Sequence, residues 1–129
     1  MKITKLTTKD FTEAARLYQE HYPCAINDII KYMKLDGVHL VAKENNQIIG
    51  VIIAPYSNMN QGVIEISFLA ISKEQRGKGV GSKLLNELEK KTNKPIITYS
   101  KSAIEFYKKK GFKEIAEIIN GKLLIKNTE

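Results

Sequence analysis

The stretch VIEISFLAIS at positions 63–72, followed by KEQRGKGVGSKLLNELEKK at positions 73–91, decides the fold. The first ten residues are mostly apolar, which predicts one long strand in the interior of a sheet. The second part contains three alternating glycines. From Val80 to Leu88 it continues with apolar residues three and four positions apart, the spacing of one helix face. The sequence therefore predicts a buried strand, a glycine-rich turn and an amphipathic helix in direct succession.

The elements on either side of this stretch follow one another with short connections. Apolar runs bounded by turn residues predict further strands at 3–6, 38–43, 47–54, 96–100, 113–119 and 122–126. Helical spacing predicts helices at 11–18 and 26–33, and a last helix that ends at Gly111. The predicted capping boxes are Thr7 with Asp10 and Ser102 with Glu105, and the predicted hairpin turns are Asn45-Asn46 and Asn120-Gly121. This order predicts an α/β protein, with a mixed sheet and helices on both faces.

Length and composition limit the classes of protein that the chain can belong to. Its 129 residues predict a single domain spanning 1–129. One cysteine, Cys24, excludes an internal disulfide and a cysteine-based metal cluster, and two histidines supply a zinc site poorly. We therefore expect no metal and a reducing, cytoplasmic compartment. The sequence has neither the apolar stretch of a signal peptide nor a run long enough to cross a bilayer, so no membrane association is expected.

The chain carries a net charge of +7, from 21 basic and 14 acidic residues. A basic surface suits nucleic acid, an acidic partner or a polyphosphate ligand. Here the basic residues are mostly lysines spread along the whole chain, which is typical of a solvated surface. No motif interleaves aromatic with basic residues in the manner of a nucleic-acid-binding module. A nucleic-acid partner is therefore not the one that this sequence favours.

The turn from Arg76 to Ser82, RGKGVGS, has the features of an anion site. Its glycines let the backbone approach a ligand closely. Free amides at the start of a helix, together with the helix dipole, favour a phosphate. The order Gly81-Ser82-Lys83 excludes a P-loop, and the spacing of the glycines excludes the dinucleotide fingerprint. The alternative is a glycine-rich connection that only permits close packing.

Two motifs, in this order, resemble the GNAT (Gcn5-related) N-acetyltransferase family. Arg76-x-x-Gly79-x-Gly81 is similar to the family's R/Q-x-x-G-x-G/A loop, and AIEFYKKKGF at 103–112 is similar to its A-x-x-x-Y-x-K-x-G-F segment. The resemblance extends over nearly the whole chain, including the order of elements. It implies the acyl-CoA N-acyltransferase fold and an N-acetyltransferase that uses acetyl-CoA as co-substrate.

The resemblance also implies which residues hold acetyl-CoA. Its pyrophosphate would lie on the loop formed by Arg76, Gly77, Lys78, Gly79, Val80, Gly81 and Ser82. Its pantetheine arm would pair with the peptide groups of Leu69, Ala70 and Ile71, at a strand edge that the family splays away from the next strand. Ser100 stands where the family often has an asparagine that contacts the same arm, and serine forms hydrogen bonds over a shorter reach.

Acetyl transfer from a thioester to an amine requires a base, a donor for the developing oxyanion and an acid for the leaving thiolate. The resemblance implies that Tyr107 is the acid; the alternative is a core aromatic residue packed with its neighbours. The oxyanion donor would be the Leu69 amide. Glu65 stands in an apolar strand, so we expect a desolvated carboxylate. The segment 65–72 also resembles the lysine-acetylating branch of the family, in which this glutamate is the base. The alternative is a glutamate on the solvent face of the sheet.

The resemblance thus implies transfer of an acetyl group to a primary amine, that of a protein lysine or N-terminus, by direct attack in a ternary complex. In the family the first two helices and the loop at 55–61 shape the acceptor site. Here those segments carry Tyr18, His21, Tyr22, Tyr56 and Met59, which do not identify the amine. The alternatives are a small-molecule amine acetyltransferase, a non-enzymatic acyl-CoA-binding protein and a nucleic-acid-binding module. A monomer or a homodimer is expected.

Overall fold

The computed structural model describes residues 1–57 and 62–128, which form two four-stranded sheets and four α-helices. The strands are β1 (Lys2–Lys5), β2 (Gly37–Glu44), β3 (Gln47–Pro55), β4 (Ile64–Ile66), β5 (Phe68–Ile71), β6 (Ile96–Ser100), β7 (Lys113–Ile118) and β8 (Gly121–Lys126). The helices are α1 (Phe11–Gln19), α2 (Ile26–Met33), α3 (Val80–Lys91) and α4 (Ile104–Lys109).

The strand order is β1-β2-β3-β5 in the first sheet and β4-β6-β8-β7 in the second. The first sheet is antiparallel throughout, and the second contains one parallel pair, β4 with β6. The predicted α/β class is confirmed.

The prediction of one long strand over 63–72 is wrong, because the stretch forms two strands that belong to different sheets. β4 pairs with β6, with Ile66 opposite Thr98, whereas β5 pairs with β3. The Ser67 amide donates to the Ile53 carbonyl at 2.9 Å, although Phe68 is the residue that pairs with Ile53. Ser67 and Phe68 therefore both oppose Ile53, as in a β-bulge. A bulge bends the strand that carries it.

Two apolar clusters hold the helices on the opposite faces of the sheets. The cluster under α1 and α2 includes Ala14, Ala15, Leu17, Ile29, Met33, Val51, Ile53 and Ala70. The cluster under α3 and α4 includes Ile52, Ile64, Ile66, Leu84, Leu85, Leu88, Tyr107 and Leu124. α3 approaches β3 closely at Gly50, where an added Cβ would lie 3.0 Å from side-chain carbons of Val80 and Leu84. The predicted helices on both faces are thus confirmed.

The ends of the elements agree with the predicted signals in part. The Thr7 amide donates to Asp10 Oδ2 at 3.0 Å, so the first capping box is present, ahead of a 3₁₀ turn that leads into α1. The box at Ser102 is wrong, since α4 begins at Ile104 without a side-chain cap. The Asn45-Asn46 turn is confirmed, with positive φ angles of 52° and 64°.

The last hairpin turns one residue earlier than predicted, at Ile119-Asn120, with φ angles of 42° and 62°. Gly121 instead opens β8, where an added Cβ would collide with the Tyr99 hydroxyl. That hydroxyl donates to the carbonyls of Ile118 and Ile119, at 2.9 and 3.0 Å. The glycine is required here because the Tyr99 ring lies against the strand, not because the turn demands it.

Candidate active site

The departure of β5 from β4 leaves one edge of β5 without a neighbour among the described strands. Hydrogen bonding alternates along an antiparallel pair. Because the Ser72 amide donates to the Ile49 carbonyl at 2.9 Å, the peptide group of Ala70 faces β3, and those of Leu69 and Ile71 face the opposite edge. The Ile71 carbonyl on that edge accepts a hydrogen bond from His21 Nε2 at 2.7 Å. The predicted pantetheine-pairing segment therefore has an edge that no described strand covers, at Leu69 and Ile71, with the Ile71 carbonyl held by His21.

A cavity of about 330 Å³ lies beside this edge, between the diverging strands. One part of its lining comes from the strands and the start of α4, namely Ile66, Ser67, Leu69, Thr98, Ser100, Ala103 and Tyr107. Another part is aromatic and comes from Tyr18 and Tyr22 on the α1 side and from Phe68. The structure thus brings Leu69, Ser100 and Tyr107, which the sequence predicts as site residues, around one space.

The glycine-rich turn places backbone amides at the start of α3. Gly77 and Gly79 have φ angles of 77° and 83°, and an added Cβ at either would meet nothing within 4 Å. Such φ angles favour glycine. The Lys83 amide makes the first bond of the helix, to the Gly79 carbonyl at 3.0 Å. The amides of 80–82 precede that bond and have no partner within the helix. They and the exposed Arg76 and Lys78 form a surface suited to a phosphate.

The chain after Tyr107 fixes the position of its side chain. The Phe112 amide donates to the Tyr107 carbonyl and the Gly111 amide to the Lys108 carbonyl, each at 3.0 Å, with Gly111 at a φ of 93°. This pattern is the Schellman motif, which requires a residue that tolerates the left-handed conformation. The rings of Phe106 and Phe112 each lie 5.2 Å from the Tyr107 ring. Gly111 and Phe112 therefore end α4, and the Phe112 ring helps to hold the Tyr107 ring in position.

Tyr107 is 4% exposed and reaches the cavity with its hydroxyl still protonated at neutral pH. Burial raises the pKa of Tyr107 to about 12, against a hydrogen bond with the Thr98 side chain that lowers it. Thr98 is itself buried and donates to the Ile66 carbonyl at 3.3 Å. No role is predicted for Thr98 from the sequence, where its one signal is a threonine between apolar strand residues. At neutral pH Tyr107 is therefore a protonated phenol that can donate its proton during a reaction.

Ser100 is buried, and its Oγ accepts a hydrogen bond from the Ala103 amide at 2.9 Å. This bond satisfies a backbone donor just before α4, which is the task that the sequence assigned to Ser102. The hydroxyl hydrogen of Ser100 is not used by that bond, so it can still be donated into the cavity. Its predicted contact with the pantetheine arm stays a prediction.

Glu65 lies outside the lining of the cavity, and its side chain is exposed. Its neighbours Ile64 and Ile66 are buried under α3 and α4, so strand alternation turns Glu65 to the opposite face. The expected desolvation of its carboxylate is therefore wrong. Its role as a general base stays a prediction, and the exposed position requires such a base to act through water.

The aromatic part of the cavity is a continuous set of ring contacts. The ring of Tyr18 lies 5.0 Å from that of Tyr22 and 4.4 Å from that of Phe68, and Tyr32 meets Phe68 edge-on at 5.0 Å. Burial raises the pKa of Tyr18 to about 12, so this phenol is also neutral. Tyr56 does not line the cavity, and Met59 lies outside the described residues. We call Tyr18, Tyr22 and Phe68 the aromatic wall.

These residues fit acetyl-CoA. The open edge of β5 offers peptide groups for a pantetheine arm, and the amides of 80–82 with Arg76 and Lys78 offer a phosphate site. Among residues 1–57 and 62–128, no group of three or more His, Cys, Asp or Glu side chains is placed to hold a metal ion. In the same ranges no helix is long and apolar enough to cross a membrane.

A split strand beside a glycine-rich helix start, with a phenol in the gap, defines an acyltransferase that uses a coenzyme A thioester. The sequence model of the acetyltransferase (GNAT) domain matches residues 36–114. The chain therefore belongs to the GNAT family of N-acetyltransferases, and its co-substrate is acetyl-CoA. No curated protein is similar enough in sequence to count as a match.

Solved structures agree with this assignment. An aminoglycoside 6'-N-acetyltransferase complexed with coenzyme A is 15% identical, with a TM-score of 0.88 over 100% of this chain and 98% of that one. The ribosomal-protein-S18-alanine N-acetyltransferase from Escherichia coli is 17% identical, with a TM-score of 0.77 over 96% and 90%. PH1933 from Pyrococcus horikoshii OT3 is 26% identical, with a TM-score of 0.76 over 98% and 97%.

Proposed function

We propose that this N-acetyltransferase moves the acetyl group of acetyl-CoA to the primary amine of a protein, a lysine side chain or an N-terminus. The observation that carries the proposal is the gap between β5 and β6, where Leu69 and Tyr107 line one cavity. An amine that enters from the aromatic wall would meet the acetyl group between these two donors. We propose direct attack in a ternary complex, because the described residues that line the cavity include no cysteine, and no histidine that could activate one of the serine hydroxyls there.

The proposed roles follow from where each group lies. The Leu69 amide, directed at the open edge, would donate to the carbonyl oxygen as it gains negative charge. As the amine nitrogen bonds to the acetyl carbon and the carbon–sulfur bond breaks, Tyr107 would donate its proton to the sulfur. The amine would lose its proton to a water molecule. Glu65, which is exposed to solvent, would accept a proton from that water.

The aromatic wall supports an amine acceptor. Aromatic faces attract an ammonium group electrostatically, by about 0.5–2 kcal/mol depending on how far it is desolvated. Tyr22 is 48% exposed, so part of the wall is accessible from outside the protein. This arrangement suits a lysine side chain or an N-terminus presented by another protein. The exposed free thiol of Cys24 further supports a reducing compartment, and we propose the cytoplasm.

An acceptor screen tests the proposal. Release of free CoA thiol is measured with acetyl-CoA and, separately, a lysine peptide, an α-amine peptide and a polyamine, each against a blank without amine. We expect a peptide to raise thiol release well above the blank and above the polyamine. Faster release with the polyamine would assign a small-molecule acceptor instead. Tight binding of acetyl-CoA without release on any amine would reduce the protein to an acyl-CoA sensor.

A further inference from the structure

His21 joins two segments that lie far apart in the sequence. It follows α1, and its imidazole contacts the end of β5 and the glycine-rich turn. His21 Nε2 lies 2.7 Å from the Ile71 carbonyl oxygen, and His21 Nδ1 lies 2.5 Å from Arg76 Nη2. The side chain is half-buried, whereas Arg76 is exposed. One imidazole therefore touches both places at which acetyl-CoA is expected to bind, the edge of β5 and the phosphate turn.

The two partners determine the protonation of this imidazole. A carbonyl oxygen only accepts a hydrogen bond, so Nε2 must carry the proton. A guanidinium only donates, so Nδ1 must offer a lone pair. The two contacts together require the tautomer that carries its proton on Nε2 and accepts through Nδ1. A protonated imidazole would have no acceptor for Arg76 and would place a second positive charge against it.

A neutral acceptor has a consequence that a carboxylate would not have. A carboxylate partner would offset much of the positive charge that a guanidinium presents to a phosphate. Held by an imidazole, Arg76 is oriented while its full charge remains available to a phosphate. Fixing the rotamers of a long, exposed side chain beforehand also lowers the entropy that binding would otherwise cost.

We infer that His21 is a positioning residue for the donor substrate: it orients Arg76 towards the pyrophosphate of acetyl-CoA and fastens the end of α1 to the edge of β5. The inference rests on the proposed placement of the pyrophosphate at the glycine-rich turn. It gives the segment between α1 and α2 a part in binding the donor, in addition to its part in the aromatic wall.

The test compares two donors that differ in the group that Arg76 is expected to contact. Acetyl-CoA contains the pyrophosphate, and S-acetyl-pantetheine lacks it. In His21→Ala, we expect the affinity for acetyl-CoA, measured by calorimetry, to fall roughly three- to tenfold, a usual range for coupled neighbours. The affinity for S-acetyl-pantetheine should stay within about twofold. Arg76→Ala should show the same selectivity, and adding His21→Ala to it should have no further effect.

Two further variants separate positioning from folding. His21→Gln, whose amide supplies a donor and an acceptor, should recover part of the acetyl-CoA affinity. His39→Gln is the matched control, because His39 also bonds a carbonyl and a backbone amide, those of Leu35 and Ala54, but far from the turn. It should leave the ratio of the two affinities unchanged. Nitrogen NMR of the wild-type protein should find the His21 proton on Nε2.

Several outcomes would overturn the inference. Equal losses for the two donors in His21→Ala would mean a general structural role, and additive losses in the double variant would mean that His21 does not act through Arg76. A proton on Nδ1 would contradict the hydrogen-bond assignment. Failure of the wild-type protein to bind acetyl-CoA at all would instead remove the proposed function on which the inference rests.

Discussion

β4 and β5 come from one apolar stretch, yet they have different surroundings. β4 pairs with β6, and its central residue, Glu65, faces solvent. Among the described strands β5 pairs with β3 alone, and Leu69, whose peptide group faces the other edge, lines the cavity. The difference arises at Ser67, where one extra residue faces Ile53. A single bulge thus separates a strand paired within the second sheet from one with an open edge, and β5 is expected to contribute far more to catalysis than β4.

The largest effect is expected from Leu69→Pro, which removes the amide that we propose as oxyanion donor. Proline has no N–H, and the Leu69 amide points away from β3, so the ladder of the first sheet should survive. We expect turnover at saturating acetyl-CoA to fall roughly 10²–10³-fold, as for loss of one oxyanion donor. Leu69→Ala keeps the amide and separates its loss from that of the side chain. Equal turnover in folded Leu69→Pro and Leu69→Ala would contradict the assignment.

Tyr107→Phe tests the other side of the gap, because it removes the hydroxyl and preserves the ring contacts with Phe106 and Phe112. We expect turnover to fall by roughly 10²-fold, within the range for a general acid, with little change in acetyl-CoA affinity. The pKa of Tyr107 is raised to about 12, so the phenol is protonated at neutral pH. Because the folded protein holds this proton more tightly than the unfolded chain, the free energy of unfolding should fall as the pH rises from about 10 to 12. An unchanged turnover, with chemistry rate-limiting, would remove Tyr107 from the mechanism.

Gly79→Glu tests the turn that follows β5. The glutamate would bring a negative charge to the expected pyrophosphate site, and we expect acetyl-CoA affinity to fall at least about tenfold, which is roughly 1.4 kcal/mol. Gly79 has a φ of 83°, so any side chain adds backbone strain. Gly79→Asn is the control, because asparagine tolerates this conformation and carries no charge. If calorimetry finds the same acetyl-CoA affinity in Gly79→Glu as in wild type, the pyrophosphate lies elsewhere.

The smallest effect is expected from Glu65→Gln on β4. An exposed carboxylate outside the cavity can assist deprotonation only through water, so turnover on a lysine peptide should fall about two- to threefold, well below the usual range for a directly acting base. Glu44→Gln, at an exposed position at the end of β2, provides the matched control. A loss of about 10²-fold confined to Glu65→Gln would show direct base catalysis and would remove the contrast between the two strands.

Most elements could be predicted because their signals are local. The Asn45-Asn46 turn, the Thr7 capping box and the apolar face of α3 each depend on residues a few positions apart. The break at Ser67 could not be predicted, because both halves of 63–72 are apolar and partly buried in whichever sheet they join. The exposure of Glu65 follows from that pairing, and the altered hairpin turn depends on Tyr99, which lies some 20 residues away in sequence.

The candidate site, like the fold, has features that the sequence predicts and features that it does not. The glycine-rich turn and Tyr107 were predictable because each belongs to a contiguous motif whose geometry is built by its own glycines. The positions of Thr98 and His21 were not, since each acts on a partner in another element: Thr98 on Tyr107, and His21 on Ile71 and Arg76. Contacts of this kind depend on how the helices and sheets pack, which the spacing of residues along the chain does not encode.

Amide hydrogen exchange, followed by NMR with and without coenzyme A, tests most directly the claim that β5 is an open edge that binds the donor. The account predicts that the Leu69 and Ile71 amides exchange readily in the free protein and become protected when coenzyme A is added. The Ala70 amide, bonded to β3, and the β4 amides should change little. Unaltered exchange at Leu69 and Ile71 under saturating coenzyme A, or equal protection along β4 and β5, would contradict it.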